Sequence, residues 1–550
     1  MSKLHEPIAT GKQKQSFPLG FNIFSISLQK HISTMEQQKY PIGIQSFEKI
    51  RKENFAYVDK TALVYRLANE GNYYFLSRPR RFGKSLLIST FEAYFLGQRE
   101  LFEGLAIEKL EQKWTVFPVL HLDLNNQKYD TPESLLQILD VNVSYWEDRY
   151  GRNEKEATLS LRFAGVIRRA FEQSGQRVVI LVDEYDKPLL QAIGNEALQA
   201  EYRATLKAFY SVLKTQDRYI RFGFLTGVTK FGKVSVFSDL NNLFDLSMDD
   251  RYQTLCGMTE EEIHANFDDT LHRLAEHNRL SYEEACRKLR LRYDGYHFVE
   301  NGVGIYNPFS LLGTLATLKF GSYWFETGTP SYLVELLKQD RYLLPNLTEE
   351  QVSADFLNSI DSVSKNPIPV IYQSGYLTIK GYDDEFETYR LGFPNQEVEE
   401  GFTRYLVPFY THIHQGESVF SIQQFIQDIR NGQPERFMQR MATMLSDTDY
   451  QIVGDAELYF QNAFYLISKM LGFYTEVERT TSDGRMDMVI KTRDYIYIME
   501  FKLDGTPQEA LRQIEDKGYA KPFGMDGRKI CRIGVNFSLK KRCIDGWEIA

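Results

Sequence analysis

The sequence predicts an α/β protein: a mostly parallel sheet with flanking helices in its first half, a helical middle, and a smaller α/β unit at its end. Three observations predict it. The short apolar run Tyr73-Tyr74-Phe75-Leu76 leads through Gly83-Lys84-Ser85 into the helix-like Leu86-Leu87-Ile88-Ser89-Thr90-Phe91. The run Val178-Val179-Ile180-Leu181-Val182 is wholly apolar, as a parallel strand covered on both faces must be, and ends in Asp183-Glu184-Tyr185-Asp186. Near the end, Tyr495-Ile496-Tyr497-Ile498-Met499-Glu500-Phe501-Lys502 alternates, which sets Glu500 and Lys502 on one face of a strand.

Strand, Gly-Lys-Ser, helix is the layout of a phosphate-binding loop. The segment Arg78-Pro79-Arg80-Arg81-Phe82-Gly83-Lys84-Ser85 is therefore the expected ATP-binding element. Backbone N–H groups at the helix start would cradle the polyphosphate. Lys84 would reach the β- and γ-phosphates, and the Ser85 hydroxyl would sit on Mg²⁺. The strict pattern asks for glycine where Arg78 stands; the bland alternative is a glycine in a βα turn beside an exposed lysine. The acidic cluster answers that alternative. Carboxylates at the C-terminal edge of a parallel strand lie where ligands bind in open α/β sheets. Asp183 would hold Mg²⁺, and Glu184 would act as the base that orients and deprotonates the attacking water.

Further strands are expected at 73–77, 116–123, 178–182, 220–226 and 243–247, with helices between them. Tyr57-Val58-Asp59-Lys60-Thr61 opens an amphipathic helix carrying Leu63, Val64 and Leu67. Ile220-Arg221-Phe222-Gly223-Phe224-Leu225-Thr226 ends in a hydroxyl that would sense the γ-phosphate; a structural hydroxyl is the equal alternative. These elements define a nucleotide-binding domain over residues 40–255. Residues 256–345 read as helical, with a capping box at Thr259 and Glu262. His297 reads as a packed or capping histidine in the turn Tyr293-Asp294-Gly295-Tyr296-His297-Phe298. Residues 346–415 combine a short helix with a small hairpin, a winged-helix-like pattern, and 416–450 form a helical connector.

Residues 451–550 form a second chemical unit. Glu457 shares a helix with Phe460, Phe464, Ile467 and Leu471, on or near their face. Gly484-Arg485-Met486-Asp487 starts a strand, and a hairpin through Thr492-Arg493-Asp494 brings Asp487 beside Glu500. Asp487 and Glu500, with Glu457 nearby, make an oxygen-rich Mg²⁺ site. Lys502 would position the water that attacks a phosphodiester. Thr506, Pro507 and Glu509 start a helix whose Gln513 or Lys517 would reach this site.

Composition bounds the alternatives. With 550 residues, 14% of them aromatic, the chain has ample core for several domains, and no apolar run is long enough for a membrane span. A net charge of −9 argues against a surface coated for nucleic acid but leaves room for a local basic groove. The four cysteines lack metal spacing and fit a reducing, cytoplasmic setting. Residues 1–34 loosely imitate an export signal, but Asn22, Ser25 and Ser27 break the apolar stretch; they read as a disordered or non-native extension, with Met35 as a candidate start.

Taken together, the two units resemble the bacterial AAA-ATPase-like proteins that carry a C-terminal PD-(D/E)XK nuclease-superfamily domain. The likeness rests on Tyr40-Pro41-Ile42-Gly43-Ile44, Tyr57-Val58-Asp59-Lys60-Thr61, Arg78 to Ser85, Asp183-Glu184-Tyr185-Asp186 and Tyr293-Asp294-Gly295-Tyr296. At the far end it rests on Gly484-Arg485-Met486-Asp487, Glu500-Phe501-Lys502 and Gln513-Ile514. The resemblance implies ATP binding and hydrolysis by an ASCE-type P-loop domain and a Mg²⁺-dependent nuclease fold. It also implies that Arg78 is the family's own variant of the loop.

Two functions follow. In one, the ATPase gates a nuclease that cleaves DNA; were the nucleotide shared between subunits of a homo-oligomer, the neighbour's arginine would be Arg203, Arg218 or Arg251. In the other, the chain is an ATP-driven switch whose terminal domain only binds nucleic acid or a partner. A small-molecule kinase is the weakest reading, because the Asp-Glu pair favours water activation over phosphorylation of a hydroxyl.

Overall fold

The computed structural model describes residues 38–230, 236–237, 242–326, 333–334, 336–337, 341–348, 350–358, 366–411, 418–445, 456–472, 474–482 and 485–550. Residues 1–34, expected to be an extension, lie outside the described residues.

The first sheet has five parallel strands: β1 (Tyr73–Ser77), β2 (Val119–Asp123), β3 (Val178–Asp183), β4 (Ile220–Gly227) and β5 (Phe244–Asp245), in the order β2-β3-β4-β1-β5. β1 and β3 are buried at every residue, as their unbroken apolar runs require. Two strands are shorter than expected. The second was expected over 116–123 but begins at Val119, because Pro118 has no N–H to give the ladder; its carbonyl still accepts from Val179 N at 2.8 Å. The fifth, expected over 243–247, is cut to two residues, because Asp245 Oδ1 accepts from Ser247 N at 2.9 Å and turns the chain.

Helices α1 (Thr61–Glu70), α2 (Lys84–Phe95), α3 (Pro132–Tyr150), α4 (Leu159–Ser174) and α5 (Glu196–Thr215) accompany this sheet. α2 packs through Phe91 and Phe95, whose rings each meet Phe222 of β4 at 5.0 Å. Phe163 of α4 stacks on Phe209 of α5 at 4.5 Å.

The middle holds α6 (Glu260–His277), α7 (Tyr282–Tyr293), α8 (Pro308–Thr317) and α9 (Tyr323–Glu326). The capping box forms as expected: Thr259 N donates to Glu262 Oε2 at 2.9 Å. These helices bury a separate core around Phe267, Leu271, Leu289, Tyr293 and Leu311, which Val58 also joins. Next, β6 (Gln351–Ser353), β7 (Thr378–Asp383) and β8 (Thr388–Gly392) form an antiparallel sheet in the order β6-β8-β7, with α10 (Ile368–Gln373) before the β7–β8 hairpin. α11 (Gln396–Tyr410), α12 (Ser418–Arg430) and α13 (Pro434–Leu445) follow.

The last sheet runs β13-β12-β11-β10-β9, from β9 (Glu476–Ser482), β10 (Arg485–Lys491), β11 (Tyr495–Leu503), β12 (Lys529–Ser538) and β13 (Cys543–Ile549). Only β11 and β12 are parallel, joined by a crossover through α15 (Pro507–Asp516). α14 (Ala456–Gly472) lies on this sheet: Phe460 stacks on Phe537 at 3.8 Å, and Phe464 meets Phe501 at 4.5 Å. α14 also packs on α11, where Lys469 Nζ pairs with Glu399 Oε1 at 2.5 Å. Among the described residues no helix is long and apolar enough to cross a membrane.

Candidate nucleotide and nuclease-like sites

β1 delivers the chain into the loop, and α2 begins at Lys84. Gly83 caps that helix in the left-handed region at φ 94°, where a side chain would be strained, and a Cβ there would meet nothing within 4 Å. No side chain caps α2, so its first N–H groups remain available to an anion. They face a cavity of about 960 Å³. The charged residues of its wall are Lys60, Arg80, Arg81, Lys84, Lys128 and Lys187 against Asp130 and Glu184, an excess of positive charge on a chain whose net charge is −9. That balance suits a polyphosphate.

Lys84 is 3% exposed. Its Nζ donates to the carbonyls of Arg78 and Pro79 at 3.1 and 3.3 Å and pairs with Glu184 Oε1 at 3.2 Å. Glu184 follows β3 in a left-handed conformation at φ 54°, and Arg81 adopts one at φ 67°. Each costs of order 1 kcal/mol outside glycine, and both strained residues flank the cavity. Asp183 ends β3 and is buried; its Oδ1 accepts from the Thr226 hydroxyl at 2.5 Å. Asp186 is fully buried, accepting from Val228 N, Thr229 N and the Thr229 hydroxyl. Burial, and then the charge of Glu184, pushes its carboxyl up to about 6.

Four residues expected at the nucleotide, Arg78, Pro79, Asp183 and Thr226, are absent from the cavity wall. Arg78 does not turn its side chain to the nucleotide cavity. Its guanidinium is buried, donates to the carbonyls of Ser77 and Ser247, and lies 3.9 Å from the centre of the Phe298 ring. Arg78 and Pro79 meet the site through their carbonyls, which accept from Lys84, and neither is part of the cavity wall. Thr226 does not form part of that wall either; its hydroxyl orients Asp183, the structural alternative. Arg80, Arg81, Phe82, Gly83, Lys84 and Ser85 do line the cavity. His297 is half-buried, as expected of a packed histidine, and burial lowers its pKa.

Sequence reasoning missed the cavity's apolar wall. Ile42 and Ile44 come from the N-terminal segment, Met258 from before α6, and Pro308, Phe309 and Leu312 from α8. The Arg81 guanidinium stacks 4.8 Å from the Phe309 ring centre. Lys187, whose Nζ donates to Asn125 O at 2.6 Å, was also missed; it lies four residues after Asp183, a spacing that gave the only hint.

In the C-terminal domain, the β10–β11 register places Asp487 opposite Glu500. Glu500 is fully buried, and Lys502 Nζ lies 3.1 Å from its Oε1. Lys502 also donates to Gln513 Oε1 on α15, a helix fixed at its start by the Thr506–Glu509 capping box. Of the two α15 candidates it is Gln513 that reaches the pair; Lys517 is exposed. Glu457 lies in the first turn of α14; the side chains of Glu457 and Asp487 lie outside the described residues.

Residues 41–237 match the family described as "Predicted AAA-ATPase", and residues 455–547 match the PD-(D/E)XK nuclease superfamily. A protein of Azotobacter chroococcum mcd 1, described as an uncharacterized protein in the vnfD 5′ region, is 35% identical over 530 residues, covering 94% of this chain and 99% of that one. A solved structure of the Aeropyrum pernix ORC2 protein, in ADPNP and ADP complexes, is similar at 13% identity and a TM-score of 0.23, covering 63% of this chain and 93% of that one, a likeness too slight to bear on function. The chain belongs to the same family as the Azotobacter protein, one that joins an AAA-ATPase-like region to a C-terminal domain of the PD-(D/E)XK nuclease superfamily.

Proposed function

We propose that the chain hydrolyses ATP and that its nucleotide state controls a Mg²⁺-dependent, phosphodiester-cleaving centre in the C-terminal domain, with DNA as substrate. The observation that carries the first half is the Lys84–Glu184 pair in a cavity rich in cations. In the pair each group offsets the other's charge. A polyphosphate entering the cavity draws Lys84 to its own oxygens and frees Glu184 to take a proton from water. Mg²⁺, when bound, would offset phosphate charge; Ser85 on the cavity wall and the buried Asp183 would supply hard oxygen donors. Thr226 keeps Asp183 oriented, and the uncapped N-terminus of α2 would hold phosphate oxygens.

Glu500, with Asp487 opposite it in the strand register and Glu457 on α14, would supply oxygen donors for Mg²⁺. Lys502, held by Glu500 and Gln513, would steady the attacking water and the developing charge on the phosphate. A continuous set of contacts supports control between the two centres. Trp324 of α9 donates its indole N–H to Arg80 O in the phosphate loop at 2.9 Å, and its backbone N–H to Glu397 Oε1 on α11 at 2.9 Å. α11 in turn packs on α14, the helix that bears Glu457.

The test is cleavage of supercoiled plasmid by the full chain with Mg²⁺ or Mn²⁺, beside Asp487→Ala. Nicking that vanishes in the variant supports the reading. Intact plasmid under every metal condition, with ATP hydrolysis retained, would favour the switch whose terminal domain serves binding.

A further inference from the structure

A second, smaller cavity of about 30 Å³ adjoins the start of the phosphate loop, with Ser77, Arg78 and Pro79 in its wall. Arg78 is 1% exposed. Its Nη1 is satisfied by the carbonyls of Ser77 and Ser247, at 2.9 and 2.8 Å, but Nε and Nη2 are buried without a hydrogen-bond partner. None of the ion pairs among the described residues includes Arg78. A guanidinium keeps its proton in proteins, so this charge cannot be shed to relieve burial.

The rest of the wall does not neutralise it. Among the described lining residues there is no aspartate or glutamate; the other cation, Lys230, is paired with Asp245 at 2.9 Å. Two more lining groups, the Tyr296 hydroxyl and His297 Nδ1, are buried without a hydrogen-bond partner. Several of the wall's acceptors are engaged, whereas the Tyr296 hydroxyl and His297 Nδ1 donate or accept according to rotamer and tautomer. Nη1 of Arg78 occupies the carbonyls of Ser77 and Ser247, Gln373 Oε1 accepts from Lys230 N at 2.5 Å, and Thr378 Oγ1 accepts from His297 N at 2.8 Å. A water here would leave the Arg78 charge unbalanced, whereas an anion offsets it. An anion needs only donors. The volume accommodates a group the size of a water or a halide ion.

We propose that this cavity is a binding site for a small monovalent anion of halide size, with the Arg78 guanidinium as its counter-charge. The site is separate from the nucleotide cavity, but it adjoins the loop whose Arg78 carbonyl accepts from Lys84 Nζ at 3.1 Å. An ion there fixes the residue that helps hold the catalytic-loop lysine. The inference does not depend on ATP hydrolysis or on cleavage.

Crystals of the full chain grown in bromide provide the direct test, by anomalous diffraction. A bromide peak within hydrogen-bond distance of Arg78 is expected; water alone in the cavity would overturn the proposal. The same chain in solution should show a saturable rise in Tm of about 2 °C when chloride or bromide replaces gluconate at constant ionic strength. Arg78→Met should lose that response if it folds. An identical Tm for the wild-type chain in gluconate and halide would equally overturn the site, whatever the variant does.

Discussion

Lys84 and Glu184 lie 3.2 Å apart although they leave strands that are not neighbours: β4 separates β1 from β3 in the sheet. The pair therefore spans the C-terminal edge of the sheet, where the loop lysine and the carboxylate after β3 hold each other. Glu184→Gln keeps the shape and removes the charge. ATP binding is expected to persist while phosphate release falls roughly 100-fold or more. Nucleotide titration and steady-state phosphate release check both halves, and a wild-type turnover rate would remove Glu184 from the role of base.

Thr226→Val removes the hydroxyl that donates to Asp183 Oδ1 at 2.5 Å and leaves a buried carboxylate oxygen short of a donor. A loss of that kind is worth about 1–3 kcal/mol. Because Thr226 stands outside the cavity wall, the loss should fall on kcat for ATP hydrolysis by roughly tenfold, with nucleotide affinity little changed. A variant that instead loses affinity with kcat intact would place Thr226 against the nucleotide.

Glu397 is 1% exposed, and burial pushes its carboxyl up to about 7 from the ordinary 4.5. Between those values the folded chain binds more protons than the unfolded one, so stability falls as pH rises through that window. Glu397→Gln retains an acceptor for Trp324 N without burying a charge. It should flatten the dependence of Tm on pH from 4.5 to 7 and be the more stable protein at pH 8, by on the order of 2 kcal/mol. Parallel Tm curves for the two proteins would contradict the assignment.

Asn462 of α14 is buried and bridges two backbone groups of an earlier segment: Oδ1 accepts from Leu344 N at 2.8 Å, and Nδ2 donates to Tyr342 O at 2.9 Å. Asn462→Leu orphans both and should cost about 2–4 kcal/mol, read as a lower midpoint in denaturant unfolding. An unchanged midpoint would show that this bridge does not tie the middle region to α14.

Much of this was legible because it is local. β1 and β3 announce themselves by unbroken apolar runs, Gly83 by the turn it permits, and the Thr259 and Thr506 caps by a glutamate three residues on. The pairing of Asp487 with Glu500 followed from a hairpin and a period of two. What stayed hidden depends on distant chain. Arg78 looks like a phosphate ligand until Phe298 and Ser247 draw its guanidinium inward. The apolar wall of the nucleotide cavity joins Ile42 to Phe309, two segments without a shared local pattern. The partner of Thr226 was invisible because only the sheet order brings β4 against β3.

The most direct measurement is the rate of supercoiled plasmid nicking with Mg²⁺, with and without ATP, for the wild-type chain and Lys84→Ala side by side. The expected result is nicking by the wild-type chain that changes severalfold with ATP and no longer responds to ATP in Lys84→Ala. Nicking at one rate in all four reactions, or none in any of them, would contradict control of the C-terminal centre by the nucleotide site.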